Sequence, residues 1–182
     1  MLVNLEGSFC LKNGDSAHRL SLKIKDSKLE TNNSHTQILT RWNNLLQTTS
    51  KNEEQLQTDF LNDIFGEVLG YTYKRGETET NLEKEEKTEL DGQKPDGILG
   101  FFTAEGKDCR VVIELKDSKA NLDTKQNHKG DNRSPVEQAF EYRDKIDVIE
   151  WVITSNANEI RLYSAGSGGR LKYQSCTFLR VL

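Results

Sequence analysis

Two carboxylates and a lysine stand out in the stretch Lys94 to Lys116. Asp96 follows Pro95, and Glu114 lies two residues before Lys116. On a strand, residues two apart point to the same face, so Glu114 and Lys116 share one. Two apolar runs, Ile98 to Phe102 and Val111 to Leu115, are rich in β-branched and aromatic residues and are split by a polar link containing Gly106. That pattern predicts an antiparallel hairpin. In such a pair the start of one strand lies beside the end of the next, which brings Asp96 and Glu114 together. Acids crowded in a partly buried place repel one another, and burying them without a partner is costly. A divalent cation removes that cost, and oxygen ligands with room for water suit Mg²⁺ better than zinc. A cation site with an ammonium group beside it is equipped to hydrolyse a phosphodiester.

The same spacing has a plainer reading. Glu-x-Lys occurs three times, at Glu85 and Lys87, Glu105 and Lys107, and Glu114 and Lys116. The first falls in a charged run and the second in a turn. Only the third closes a strongly apolar strand, where a charged pair is unusual.

Pro95-Asp96 followed by Glu114-Leu115-Lys116 resembles the signature of the PD-(D/E)XK nuclease superfamily. Downstream, Gln138-Ala-Phe-Glu-Tyr142 is similar to the Gln-x-x-x-Tyr motif of type I restriction subunits and RecB-like nucleases. Ser134 to Tyr142 resembles most the N-terminal nuclease domain of type IIG or single-chain type I restriction–modification enzymes. The resemblance covers roughly residues 50 to 165. It implies a restriction-endonuclease-like core. It also implies a metal site made by Asp96, Glu114 and the Leu115 carbonyl, taking Mg²⁺ with Mn²⁺ as a substitute. Lys116 would orient the attacking water, and Gln138 and Tyr142 would position the DNA backbone and the lysine. The first helix of such nucleases often carries an acid that reaches the metal, a part open here to Glu54 or Gln57. The implied products carry 5′-phosphate and 3′-hydroxyl ends.

Bulk properties set outer limits. A chain of 182 residues can bury a real core in one domain. At 34% hydrophobic and 30% charged residues it is polar, and no run approaches membrane-spanning length. The N-terminus has no basic segment followed by a long apolar one, so no signal peptide is expected. Cys10, Cys109 and Cys176 are odd in number and lack metal spacing, which reads as reduced thiols in a cytoplasmic protein. A net charge of −4 argues against nonspecific binding of nucleic acid by the whole surface, but leaves room for a local basic groove.

The elements that must position these residues follow from pattern. Asn13-Gly14 and the alternating Leu20, Leu22 and Ile24 predict a peripheral hairpin within residues 1 to 33. Ser34-His-Thr-Gln37 is a capping box, followed by Ile38, Leu39, Trp42, Leu45 and Leu46 at helical spacing. Ser50-Lys-Asn-Glu53 opens the strongest helix, with Leu56, Phe60, Leu61, Ile64, Phe65, Val68 and Leu69 on its stripe and Gly70 as its stop. Gln57 falls inside that apolar stripe and must find a buried partner.

Tyr71 to Lys74 reads as the start of the sheet, and residues 76 to 93 as an exposed edge strand with the turn Asp91-Gly92. Residues 117 to 133 have no period; a 17-residue connection of this kind is either functional or a flexible linker. It carries Lys119, Lys125, His128, Lys129 and Arg133, which suit a lid or contacts with phosphate. Ser134-Pro135-Val136-Glu137 opens a helix buried through Val136, Ala139, Phe140 and Ile146. Gln138 and Tyr142, four apart, share another side and are expected to face outward. Val148 to Thr154 and Ile160 to Tyr163 read as strands, and Leu171 to Leu182 could add a last one.

The expected fold is α/β, with a central mixed β-sheet of four or five strands flanked by helices. Residues 1–49 form an N-terminal β/α extension packed on a core of residues 50–182. The expected activity is Mg²⁺-dependent hydrolysis of double-stranded DNA by a restriction-type endonuclease. The alternatives are a structure-specific repair or recombination nuclease and a noncatalytic DNA-binding module on the same fold. The sequence has no Gly-x-x-x-x-Gly-Lys-Ser/Thr loop and no Asn-Pro-Pro-Tyr methyltransferase motif, so neither ATP-driven translocation nor methylation is expected of it. Either recognition and methyltransferase domains are expected elsewhere in a larger protein, or the chain is a stand-alone relative. Transient dimerisation on DNA is expected for cutting both strands.

Overall fold

The computed structural model describes residues 33–48, 53–73, 79–84, 94–126, 132–166 and 173–177. Six strands form one sheet: β1 (Glu79–Lys84), β2 (Gly97–Thr103), β3 (Lys107–Leu115), β4 (Trp151–Ser155), β5 (Glu159–Ser164) and β6 (Tyr173–Thr177). They lie side by side in chain order. All neighbours are antiparallel except β3 and β4, which are parallel and joined through α3 (Pro135–Lys145). Helices α1 (Asn33–Thr48) and α2 (Glu53–Phe60) precede the sheet. The fold is therefore α/β with a mixed sheet flanked by helices. Its sixth strand, within the stretch Leu171 to Leu182, exceeds the four or five expected. The hairpin expected before residue 33, Ser50, the Asp91-Gly92 turn and His128 lie outside the described residues.

The sheet separates two cores, and alternation along β3 sends Val111, Ile113 and Leu115 into one of them. Val111, Ile113 and Leu115 join Leu82, Leu99 and Ile153 on one face, against Trp42, Phe60, Leu61, Ile64 and Phe65 of the N-terminal helices. On the other face Val152 and Tyr163 meet Val136, Ala139 and Phe140 of α3 and Leu122 of the preceding loop. The run Val111 to Leu115 is buried on both faces, as expected where helices cover a sheet on each side. Trp42 meets Phe60 edge to face at 5.2 Å, so α1 is part of the main core.

Several boundaries differ from the sequence pattern. The helix begun as α2 widens after Phe60 into a π-helical stretch, Leu61–Val68, and stops at Gly70, whose φ of 78° suits glycine. Helix α1 begins at Asn33, which puts Ser34 inside its first turn. The sheet begins at Glu79 and not at Tyr71; Thr72 instead bonds through its backbone to Asn81 and Leu82 of β1. Val148 belongs to the turn before β4, 64% exposed and at φ 67°, not to the buried strand expected there. The expected cap of α3 is present in full: Ser134 accepts from the Glu137 N–H, and the Glu137 side chain accepts from the Ser134 N–H.

Register is held by a bulge. Leu99 faces Val111 and Gly100 faces Cys109, so Arg110 is the extra residue of β3. A Cβ on Gly100 would stand 2.1 Å from the Asp108 carbonyl oxygen, and only glycine allows that approach. Beyond the bulge the ladder runs regularly to Gly97 opposite Ile113. The next pair along this line is Asp96 and Glu114.

Candidate active site

Strand β2 begins at Gly97, so the backbone of Leu115 extends past its last ladder partner. The N–H and C=O of one strand residue point to the same edge, and both need partners when buried. Asp96 supplies the first: its Oδ2 accepts from the Leu115 N–H at 2.6 Å. Gln57 supplies the second by donating its side-chain amide to the Leu115 carbonyl at 3.0 Å. This explains the polar residue inside the apolar stripe of α2. On the opposite edge Lys116 donates its N–H to the Ser155 carbonyl of β4 at 2.8 Å. The end of β3 is thus fixed by Asp96 just ahead of β2, by α2 and by β4.

The side chains of Glu114 and Lys116 share the face covered by α3. Glu114 is only 2% exposed, and its Oε1 lies 2.7 Å from the Lys116 ammonium. Burial pushes the Glu114 carboxyl up to about 8, and the nearby Asp96 carboxylate adds to the rise. Lys116 and the more distant Arg133 pull the other way. Burial prevails because a single ammonium replaces little of the water this carboxylate has lost.

Tyr142 is buried, 5% exposed, and does not face outward as its spacing from the α3 stripe suggested. Its phenol accepts a hydrogen bond from the Gln138 amide at 3.1 Å. Burial is the main cause of its raised pKa, and the charges of Glu114, Asp96 and Lys116 all act on it. Tyr142 thus lies on a covered side of α3, within electrostatic reach of the acids.

The structure thus brings together Asp96, Glu114, Leu115, Lys116, Gln138 and Tyr142. Glu54 lies in α2, but its side chain is outside the described residues. Two contributors carry little sequence signal. Gln57 holds the backbone of Leu115, a role its polarity announced without revealing the partner. Arg133 reaches Glu114 electrostatically from the mouth of α3 while paired with Glu141, and nothing in its local pattern separates it from the other loop cations.

Hard oxygen donors of this kind fit Mg²⁺. The set is two carboxylates and one backbone carbonyl, and Glu114 resists ionisation until positive charge compensates it. Among the described residues no group of three or more His, Cys, Asp or Glu side chains is placed to hold a metal. No protein-family model, curated protein or solved structure matches the chain.

Proposed function

We propose that this protein is a Mg²⁺-dependent DNA endonuclease of the PD-(D/E)XK kind, with Mn²⁺ able to replace Mg²⁺. One observation carries the reading: a carboxylate buried to 2% exposure, ion-paired to Lys116, beside a second carboxylate that grips the same strand end. A structural ion pair has no need of the second acid, which raises the cost of ionising the first. The motif order Pro95-Asp96, Glu114-Leu115-Lys116 and Gln138 to Tyr142 supports the same reading. Double-stranded DNA is the proposed substrate and the cytoplasm the proposed location. The latter accords with the thiol form of Cys109, and among the described residues no helix is long and apolar enough to cross a membrane.

Asp96, Glu114 and the Leu115 carbonyl would hold the cation. When bound, it supplies Lewis-acid polarisation of the phosphate and a more acidic water. The remaining work falls to the chain. Gln57 and Asp96 fix the Leu115 peptide, so the carbonyl is presented without reorganisation. Lys116 offers a compact charge to the attacking water and to the negative charge growing on phosphorus. Glu114 holds that ammonium in place. Tyr142, braced by Gln138, closes the α3 side of the site against water and limits the positions Lys116 can take.

Nicking of supercoiled plasmid tests the proposal. Cleavage with Mg²⁺, its loss in EDTA and its loss in Lys116→Ala are the expected results. DNA retention with no nicking at high protein concentration would replace the proposal with a noncatalytic DNA-binding role. Faster cutting of branched than of linear duplex would shift it to a repair or recombination nuclease.

A further inference from the structure

Over its described part, residues 117–126, the connection after Lys116 is fastened at several points. Asp117 accepts from the N–H of Lys119 through its side chain and from that of Ala120 through its carbonyl. The β4–β5 turn holds the next residues: Asn158 donates to the Ser118 carbonyl at 2.8 Å and Asn156 to the Ala120 carbonyl at 2.9 Å. Leu122 is 1% exposed in the α3-side core, and its carbonyl accepts from the Val136 N–H. Asp123 places both carboxylate oxygens on one nitrogen of Arg161, at 2.8 and 2.9 Å. Finally, Gln126 donates its N–H to the Arg133 carbonyl at 3.0 Å.

All four charged side chains of this stretch are exposed, but the two acids are held: Asp123 pairs with Arg161, which Glu159 shares, and Asp117 accepts from its own loop. Lys119 and Lys125 are exposed. Lys119 lies three residues beyond Lys116, and Lys125 adjoins the Gln126–Arg133 bond, next to the arginine that senses Glu114. The described stretch thus leaves the site at Lys116 and is tied at Gln126 to Arg133, with Lys119 and Lys125 exposed along it. We propose that residues 117–126 are a preformed phosphate-binding rim, in which Lys119 and Lys125 contact backbone phosphates of duplex DNA flanking the bond to be cut. This rests on the nuclease reading for its substrate. It adds that the rim is built before DNA arrives and that it holds backbone without reading bases.

The test is binding of a labelled duplex to the full chain, with Ca²⁺ in place of Mg²⁺, across about 50 to 200 mM salt. Wild type is compared with the double variant Lys119→Gln/Lys125→Gln. Each lost contact should lower the slope of log affinity against log salt by about 0.9, which is about eightfold in affinity at 0.1 M salt. The double variant should therefore bind about 60-fold more weakly at that salt. Amide exchange at Ala120 and Gln126 should already be slow in the DNA-free protein. An unchanged slope in a variant of a protein that still nicks plasmid would overturn the rim alone. Fast exchange at both amides would overturn its preformed character. Loss of binding as expected, in a protein that never nicks, would uphold the rim and sink the nuclease. Absence of duplex binding by wild type at the lowest salt would sink both.

Discussion

Glu114 is the residue on which the site's energetics turn. It combines near-complete burial, one ammonium partner and a neighbouring acid, and the balance keeps its proton on well above the usual carboxylate range. The unfolded chain releases that proton near pH 4.5 and the folded chain near 8. Between those values the native state binds more protons, so unfolding free energy falls as pH rises, by up to about 1.4 kcal/mol per pH unit. Urea melts in EDTA from pH 5 to 8 should show this slope in wild type, and Glu114→Gln should remove it. Added Mg²⁺ should flatten it by compensating the carboxylate. Lys116→Ala should cut nicking by about 10²- to 10³-fold, as expected when one stabilising charge is removed from a reacting centre. A melt of the same variant checks that the fold persists, because burial already keeps Glu114 protonated at neutral pH and loss of Lys116 leaves no buried anion.

At the scale of elements, the site is held by features distant from the acids. Gly100 absorbs the bulge that sets which residue faces which at the far end of the hairpin. Gly100→Ala forces β2 and β3 apart, and denaturant melts should show a loss of about 1–3 kcal/mol. Ser134→Ala removes the cap of α3, with an expected loss of about 1 kcal/mol by the same measurement. A smaller fall in nicking should accompany it, since α3 carries Gln138 and Tyr142. The hairpin, the parallel crossover and the capped helix were legible because each is written in local periodicity and turn chemistry. The meeting of Asp96 with Glu114 was legible because a hairpin leaves little choice. The inward turn of Tyr142 was not, because helical spacing describes one helix alone while the opposing sheet decides which of its sides are covered. The partners Gln57–Leu115 and Asp123–Arg161 are 58 and 38 residues apart, beyond the reach of any local pattern.

Over the whole molecule, two helical layers enclose the sheet, and the N-terminal one belongs to the core. Trp42 is 3% exposed and sits across Phe60, so Trp42→Ala should cost about 3–5 kcal/mol in a denaturant melt. A loss below about 1 kcal/mol would instead make α1 an accessory that the core does without. The sheet, finally, is laid down in the order in which the chain is made. The acid pair comes from one local hairpin, so both carboxylates have been synthesised once the ribosome has delivered β3. The strand that secures the lysine backbone, through Ser155, and the helix that carries Tyr142 emerge only later. A nascent chain therefore carries both acids before the surroundings that would make them reactive have been made.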